Sequence, residues 1–155
     1  MKFSAREDIA APIDHVFAAL CEFESFERQA MRRGADVQRV DALPQPGVGM
    51  RWKVQFSMRG RQRIMDLTMV RFDQPNEMEF LAKSPGINAV FVVELLALSR
   101  SRTRLSVSLD LAPLNLSTRL LVQSLKLAKT TLTKRFKLRV ADYCKTLEDR
   151  LQRMA

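Results

Sequence analysis

Few side chains in this sequence could carry covalent or acid–base chemistry, and they lie far apart. His15 is the only histidine, Tyr143 the only tyrosine and Trp52 the only tryptophan, and Cys21 and Cys144 are the only cysteines. A nucleophile needs a base within hydrogen-bond reach, and one histidine with two distant cysteines cannot be assembled into such a pair. His15 stands beside Asp14 in a helix-like stretch, away from any cluster of ligands. A metal site needs three or four converging ligands, and none converge in the sequence. No glycine-rich phosphate loop is present either, so no cofactor is expected. Three polar residues remain as catalytic candidates: Asp66, Glu94 and Tyr143. The two carboxylates fall inside strand-like stretches. There a one-residue change of register moves a side chain between a cavity, where its pKa would rise, and solvent.

The elements that would hold these residues are legible from periodicity. From Leu116 to the C-terminus the sequence reads as one long helix, with no Gly and no Pro between Ser117 and Ala155. Leu121, Leu125, Ala128, Leu132, Phe136, Val140, Tyr143, Leu147 and Leu151 recur at steps of three and four and trace one face. At ~1.5 Å per residue it would run on the order of 50 Å. Its last turns, from Leu147 onward with Leu151 and Met154, then look free to overhang the rest and seat a second subunit, which makes a homodimer a candidate assembly.

Ahead of that helix the texture is period two. Lys2 to Ile9 reads as a strand, Ala11-Pro12 opens a helix with Pro in its first turn, and a second helix covers Ser25 to Arg32, with Ser25 as N-cap and Gly34 ending it. Strands follow over Asp36–Ala42, Met50–Arg59, Gln62–Phe72, Glu77–Lys83, Asn88–Ser99 and Thr103–Leu111, separated by turn-forming residues. Short connections make the sheet antiparallel, and its apolar face needs a cover. The expected fold class is α+β, a curved seven-stranded antiparallel sheet wrapped on the long C-terminal helix, with two short helices after the first strand. The whole of 1–155 reads as a single domain. In the fourth strand the favoured register turns Met65, Leu67 and Met69 inward and Asp66 out. Glu94 is expected outward, with Phe91, Val93 and Leu95 inward.

Composition narrows the partners. The 46% apolar and 28% charged fractions describe a globular chain. Two cysteines without disulfide spacing suggest reduced thiols and a cytoplasmic protein, and no signal peptide or membrane-spanning run is seen. A formal net charge of +9 favours acidic partners: an anionic membrane surface, an acidic protein or nucleic acid. Nucleic acid is the weakest of these, because the exposed strand faces lack an aromatic stacking platform. The basic residues cluster at Arg59, Arg61 and Arg63, at Arg100, Arg102 and Arg104, and along Lys126 to Arg139.

The order of elements, together with several short motifs, resembles the START-like or SRPBCC superfamily. This helix-grip family includes the birch-pollen allergen class and the polyketide cyclase/dehydratases. The run Ile9-Ala10-Ala11-Pro12 through Val16-Phe17 to Leu20 is similar to the family's opening strand and Pro-initiated helix. Phe23-Glu24-Ser25-Phe26-Glu27 is similar to its second helix, Gly47-Val48-Gly49-Met50-Arg51-Trp52 to its glycine-led entry into the third strand, and Arg102-Thr103-Arg104-Leu105 to a later turn. Phe17 stands where the family often has Trp, and Arg102 where it often has Gly.

The resemblance implies a pocket between sheet and helix for a hydrophobic or amphipathic small molecule, lipid-like or aromatic. Its expected wall comprises Trp52, Val54, Phe56, Met58, Met78, Phe80, Leu105, Val107, Leu109, Leu125, Leu132, Phe136 and Tyr143. It also implies a mouth at the end of the sheet that carries Arg59, Arg61 and Arg63, which would contact an anionic group there. Binding, with carriage of the bound molecule, is the expected function. A cyclase/dehydratase-like enzyme and a protein-interaction or anionic-membrane adaptor that uses the basic patches are the alternatives.

Overall fold

The computed structural model describes residues 1–154. The elements run β1 (Lys2–Ile9), α1 (Ile13–Leu20), α2 (Phe23–Arg32), β2 (Asp36–Arg39), β3 (Arg51–Met58), β4 (Arg61–Asp73), β5 (Glu77–Ser84), β6 (Ile87–Ser99), β7 (Arg102–Pro113), α3 (Leu116–Leu127) and α4 (Lys129–Met154). The seven strands form one sheet in the order β1-β7-β6-β5-β4-β3-β2, with every pairing antiparallel. β2 to β7 are therefore a meander, β1 joins it beside β7, and α1 and α2 carry the chain from one edge of the sheet to the other. This is the expected helix-grip arrangement.

Facing follows the pleat. Val54 pairs with Met65 and Trp52 with Leu67, and Phe80 pairs with Met69 on one side and Phe91 on the other. Paired residues share a face, so these side chains line the concave side. Lys53, Asp66 and Lys83 alternate with them and are exposed. A bulge between Met69 and Arg71 inserts one residue into β4. Phe72 thereby also faces inward, edge-on to Phe17 at a centroid distance of 5.4 Å.

The densest packing lies at the α1 end of the concave face. Ile9, Val16, Phe17, Met50, Met69, Met78 and Leu105 are buried there. Thr103 is buried beside them, and its hydroxyl donates to the Ala11 carbonyl at 2.8 Å. That bond fixes the bend between β1 and α1 and satisfies a polar group that would otherwise be costly to bury.

Four expectations change. First, the C-terminal helix is two helices: the chain breaks at Ala128, whose φ of −103° and ψ of 14° leave the helical region. No Gly or Pro causes this. α3 packs on β7 and α4 on β1, so one straight rod cannot serve both, and the break precedes the β-branched pair Thr130-Thr131, which favours helix poorly. Second, the last turns do not overhang. Leu147 is buried and Leu151 packs on the core. Glu148 Oε2 accepts from the Ala10 N–H at 3.1 Å, and Arg150 grips the Glu22 carboxylate at 2.9 and 3.2 Å. β1 and α1 already cover the surface on which a second subunit was expected, although Met154 is exposed. Third, β2 stops at Arg39 rather than Ala42. The Asp41 carboxylate accepts the N–H groups of Leu43 and Arg51, each at 2.9 Å, and two Arg39 guanidinium bonds at 3.0 Å. A side chain takes over where a ladder bond would have continued. Fourth, α2 begins at Phe23, and Ser25 is not its cap.

α3 has a defined start. The Asn115 side chain accepts from the Thr118 N–H at 2.9 Å, and the Thr118 hydroxyl accepts from the Asn115 N–H at 3.2 Å. This reciprocal cap satisfies two otherwise orphaned donors. Gly86, in the β5–β6 turn, backs directly onto it. Its φ is +82°, and a Cβ there would lie 2.6 Å from Asn115 Nδ2.

Candidate functional site

Between the concave face and α4 lies a cavity of about 590 Å³. Its floor comes from alternate residues of five neighbouring strands: Trp52 and Val54, Met65 and Leu67, Met78 and Phe80, Phe91 and Val93, Leu105 and Val107. Leu20 closes it from α1 and Val37 from β2. Phe23, Phe26 and Ala30 of α2 and Phe136, Val140 and Tyr143 of α4 form its other walls. The rings are arranged in a chain. Phe23 is 5.5 Å from Trp52, Trp52 6.1 Å from Phe80, Phe80 6.1 Å from Phe91, and Phe26 5.5 Å from Tyr143. Tilted and edge contacts of this kind suit aromatic quadrupoles.

The sheet contributes no charged group to this lining. The charged or amide-bearing residues are Glu27 and Gln29 from α2, Arg33 that caps its C-terminus, and Arg139 from α4. Gln29, Arg33 and Arg139 are exposed, which places the opening between α2 and α4. Glu27 is held in place. Its Oε2 accepts the Trp52 indole N–H at 3.1 Å, so the one tryptophan is tied to the rim by a charge-assisted bond. α2 itself has no buried residue, and it rests on the cavity through Phe23, Phe26 and this bond.

The sequence expectations sort clearly. Trp52, Val54, Met78, Phe80, Leu105, Val107, Phe136 and Tyr143 line the cavity. Phe56, Met58, Leu109, Leu125 and Leu132 do not. Phe56 and Met58 continue along β3 toward the hairpin tip, Leu109 pairs with Phe3 and Phe91, Leu125 belongs to α3, and Leu132 lies in the first turn of α4. Arg59, Arg61 and Arg63 are not in the lining. Arg59 sits in the turn with φ 52°, and Arg63, paired with Phe56, is half-buried on the concave side beyond the cavity. Arg139, the last residue of the basic stretch that begins at Lys126, stands at the mouth. Glu27, Gln29 and Arg33 were not anticipated. The available signal was the polar face of α2, which the sequence presents next to Phe23 and Phe26.

Asp66 and Glu94 are both exposed on the outer face of the sheet and so are removed from the cavity. Glu94 lies instead beside a second hollow of about 600 Å³ over β1, β6 and β7. That hollow carries Lys2, Arg6, Glu7, Lys137 and three serines, the composition of a solvated groove. Of the catalytic candidates only Tyr143 lines the cavity. Burial raises its phenol well above the ordinary value, so it remains a neutral hydroxyl. Burial also pushes the Cys21 thiol up to about 11 and the Cys144 thiol up to about 12, and both are free thiols. His15 is exposed on α1. Among the described residues no three His, Cys, Asp or Glu side chains are placed to hold a metal ion, and no helix is long and apolar enough to cross a membrane.

No protein-family model and no curated protein sequence matches the chain. Solved structures do match. TTHA0849 from Thermus thermophilus superposes with a TM-score of 0.67 at 16% identity, covering 100% of this chain and 99% of that one. The Zhui aromatase/cyclase from Streptomyces sp. R1128 gives 0.58 at 12% identity over 75% and 70% of the two chains. A START superfamily protein from Mycobacterium smegmatis gives 0.56 at 12% identity over 86% and 95%. The fold is START/SRPBCC-like. The chemistry of the lining has to be read from this chain's own residues.

Proposed function

We propose that this START/SRPBCC-like protein binds, and by reversible release carries, one hydrophobic or amphipathic small molecule, lipid-like or aromatic, in the cavity between sheet and α4. One observation carries the reading: an apolar, ring-lined cavity of about 590 Å³ whose charged groups stand only at its helical rim. Pockets that take small molecules commonly span ~300–1,000 Å³. Removing an apolar ligand from water stabilises the complex by roughly 25 cal/mol per Å² of surface buried. Arg33, Arg139 and Gln29 would hold a polar or anionic head near the opening, which favours an amphiphile over a wholly apolar molecule.

Enzymatic chemistry of the cyclase or dehydratase type needs acid–base groups aimed at the bound molecule. With Asp66 and Glu94 on the outer face, only Glu27 and Tyr143 remain, and Glu27 is engaged by Trp52.

Trp52 is the only tryptophan and stands in the wall, so its emission reports on occupancy. Titration with a long-chain fatty acid should shift or quench that emission saturably at one molecule per chain. An emission that stays constant across fatty-acid, sterol and polycyclic aromatic probes would overturn the proposal.

A further inference from the structure

α3 has two apolar faces, and the fold uses only one. At 100° per residue, Thr118, Leu121, Val122 and Leu125 share the side that packs inward, with Thr118 and Val122 buried. Leu116, Leu120 and Leu127 fall within an arc of about 40° on the opposite side. They are 73%, 58% and 92% exposed, and Leu114, just before the helix, is 57% exposed. Exposed leucines occur singly on most surfaces, but a stripe of them along one helix face is a different feature.

The charges around this stripe have one sign. Arg119 and Lys126 lie together along one side of it on the helix. From Leu111 to Ala141 the chain contains no Asp or Glu, while Arg119, Lys126, Lys129, Lys134, Arg135, Lys137 and Arg139 all lie in that span. The Leu114 N–H donates to the Gly86 carbonyl at 2.7 Å, which anchors the start of α3 at the β5–β6 turn. In the meander the β3–β4 turn lies at that same end and adds the exposed Arg59 and Arg61. Leucines flanked by lysines and arginines are the pattern of a helix that lies in a membrane interface, with its apolar side among the acyl chains and its cations among the headgroups.

From this juxtaposition we infer that the outer face of α3 docks on an anionic lipid bilayer, inserting Leu116, Leu120 and Leu127. A second copy of the chain fits the face poorly. A two-fold interface would set the basic flank against itself, in a protein already carrying a net charge of +9.

The test is co-sedimentation of the full chain with vesicles of phosphatidylcholine, alone and with about 30% phosphatidylserine. The anionic vesicles should bind at least tenfold more tightly than the neutral ones, and raising the salt should weaken that binding. A variant combining Leu116→Gln, Leu120→Gln and Leu127→Gln should lose at least tenfold in binding. Its circular dichroism and melting temperature should stay unchanged, because the replaced side chains are exposed. Absence of binding, equal binding to both vesicles, or a triple variant that binds like the parent would overturn the inference. So would analytical ultracentrifugation showing a dimer that the triple variant dissolves, since the stripe would then belong to a second copy.

Discussion

Overfilling the cavity from two sides separates a binding site from a packed core. Val54 reaches in from β3 and Val107 from β7, four strand positions apart in the sheet, or roughly 19 Å at ~4.8 Å per strand. Both side chains border the same cavity, so Val54→Phe and Val107→Phe draw on one volume from two strands. Each adds on the order of 50 Å³, and extra volume forced into a filled core costs ~1–3 kcal/mol. A core without spare space would therefore lose roughly 2–6 kcal/mol in the double variant. The cavity of about 590 Å³ can take both rings, so urea unfolding should change by less than ~1 kcal/mol for the double variant. Fatty-acid affinity, read from Trp52 emission, should fall at least tenfold because the ligand's space is occupied. A double variant destabilised by several kcal/mol, with the titration unaltered, would refute the reasoning.

Three further perturbations test particular contacts. Glu27→Ala removes the acceptor of the Trp52 indole N–H and should cost about 1–3 kcal/mol in urea unfolding, whereas Glu27→Gln, which keeps an acceptor, should cost less; equal losses would mean that the bond contributes nothing. Gly86→Ala combines the ~1–2 kcal/mol penalty of a left-handed residue with damage to the Asn115 cap, worth ~1 kcal/mol. At roughly 2–4 °C per kcal/mol the calorimetric melting temperature should then drop by about 4–12 °C, and an unchanged value contradicts the close approach to Asn115. Asp8 and Asp41 are both held below the ordinary carboxylate value of 3.8, Asp8 chiefly by hydrogen bonding to Arg104 and Asp41 chiefly by hydrogen bonding to Arg39. In the window below 3.8 the unfolded chain binds more protons than the folded one, so their contribution is fully present above that pH and is lost as the pH falls through the folded values. Melting temperature should decline on acidification below pH ~4, less steeply in Asp41→Asn; a slope identical in the variant would count against the Asp41 cluster.

What could be read from the sequence, and what could not, follows the range of the interactions involved. The alternation of Trp52, Val54, Phe56 and Met58 is a local pattern, and it gave the facing of β3. The stripe from Leu121 to Leu151 gave the buried side of the C-terminal helices. The break at Ala128 was not legible, because no residue there is a breaker and the cause is that α3 and α4 serve different strands. The β4 bulge was hidden for a related reason. Either register of residues 64–72 buries apolar side chains, and one extra residue lets Met69 and Phe72 face the same way. The wall of the cavity was legible where it is sheet. Its rim was not, since Glu27, Arg33 and Arg139 look like ordinary solvated helix residues until α2 is placed opposite α4. The expected overhang beyond Leu147 failed because Ala10, just after β1, and Glu22, at the start of α2, supply partners from the far end of the chain.

Native mass spectrometry of the intact chain, after incubation with a total lipid extract and removal of excess, tests the central claim most directly. The account predicts a population one ligand mass heavier than the bare chain. That ligand should leave on denaturation and be absent from the Val54→Phe, Val107→Phe double variant. A single peak at the bare mass, or an adduct distribution the same in the double variant, would contradict it.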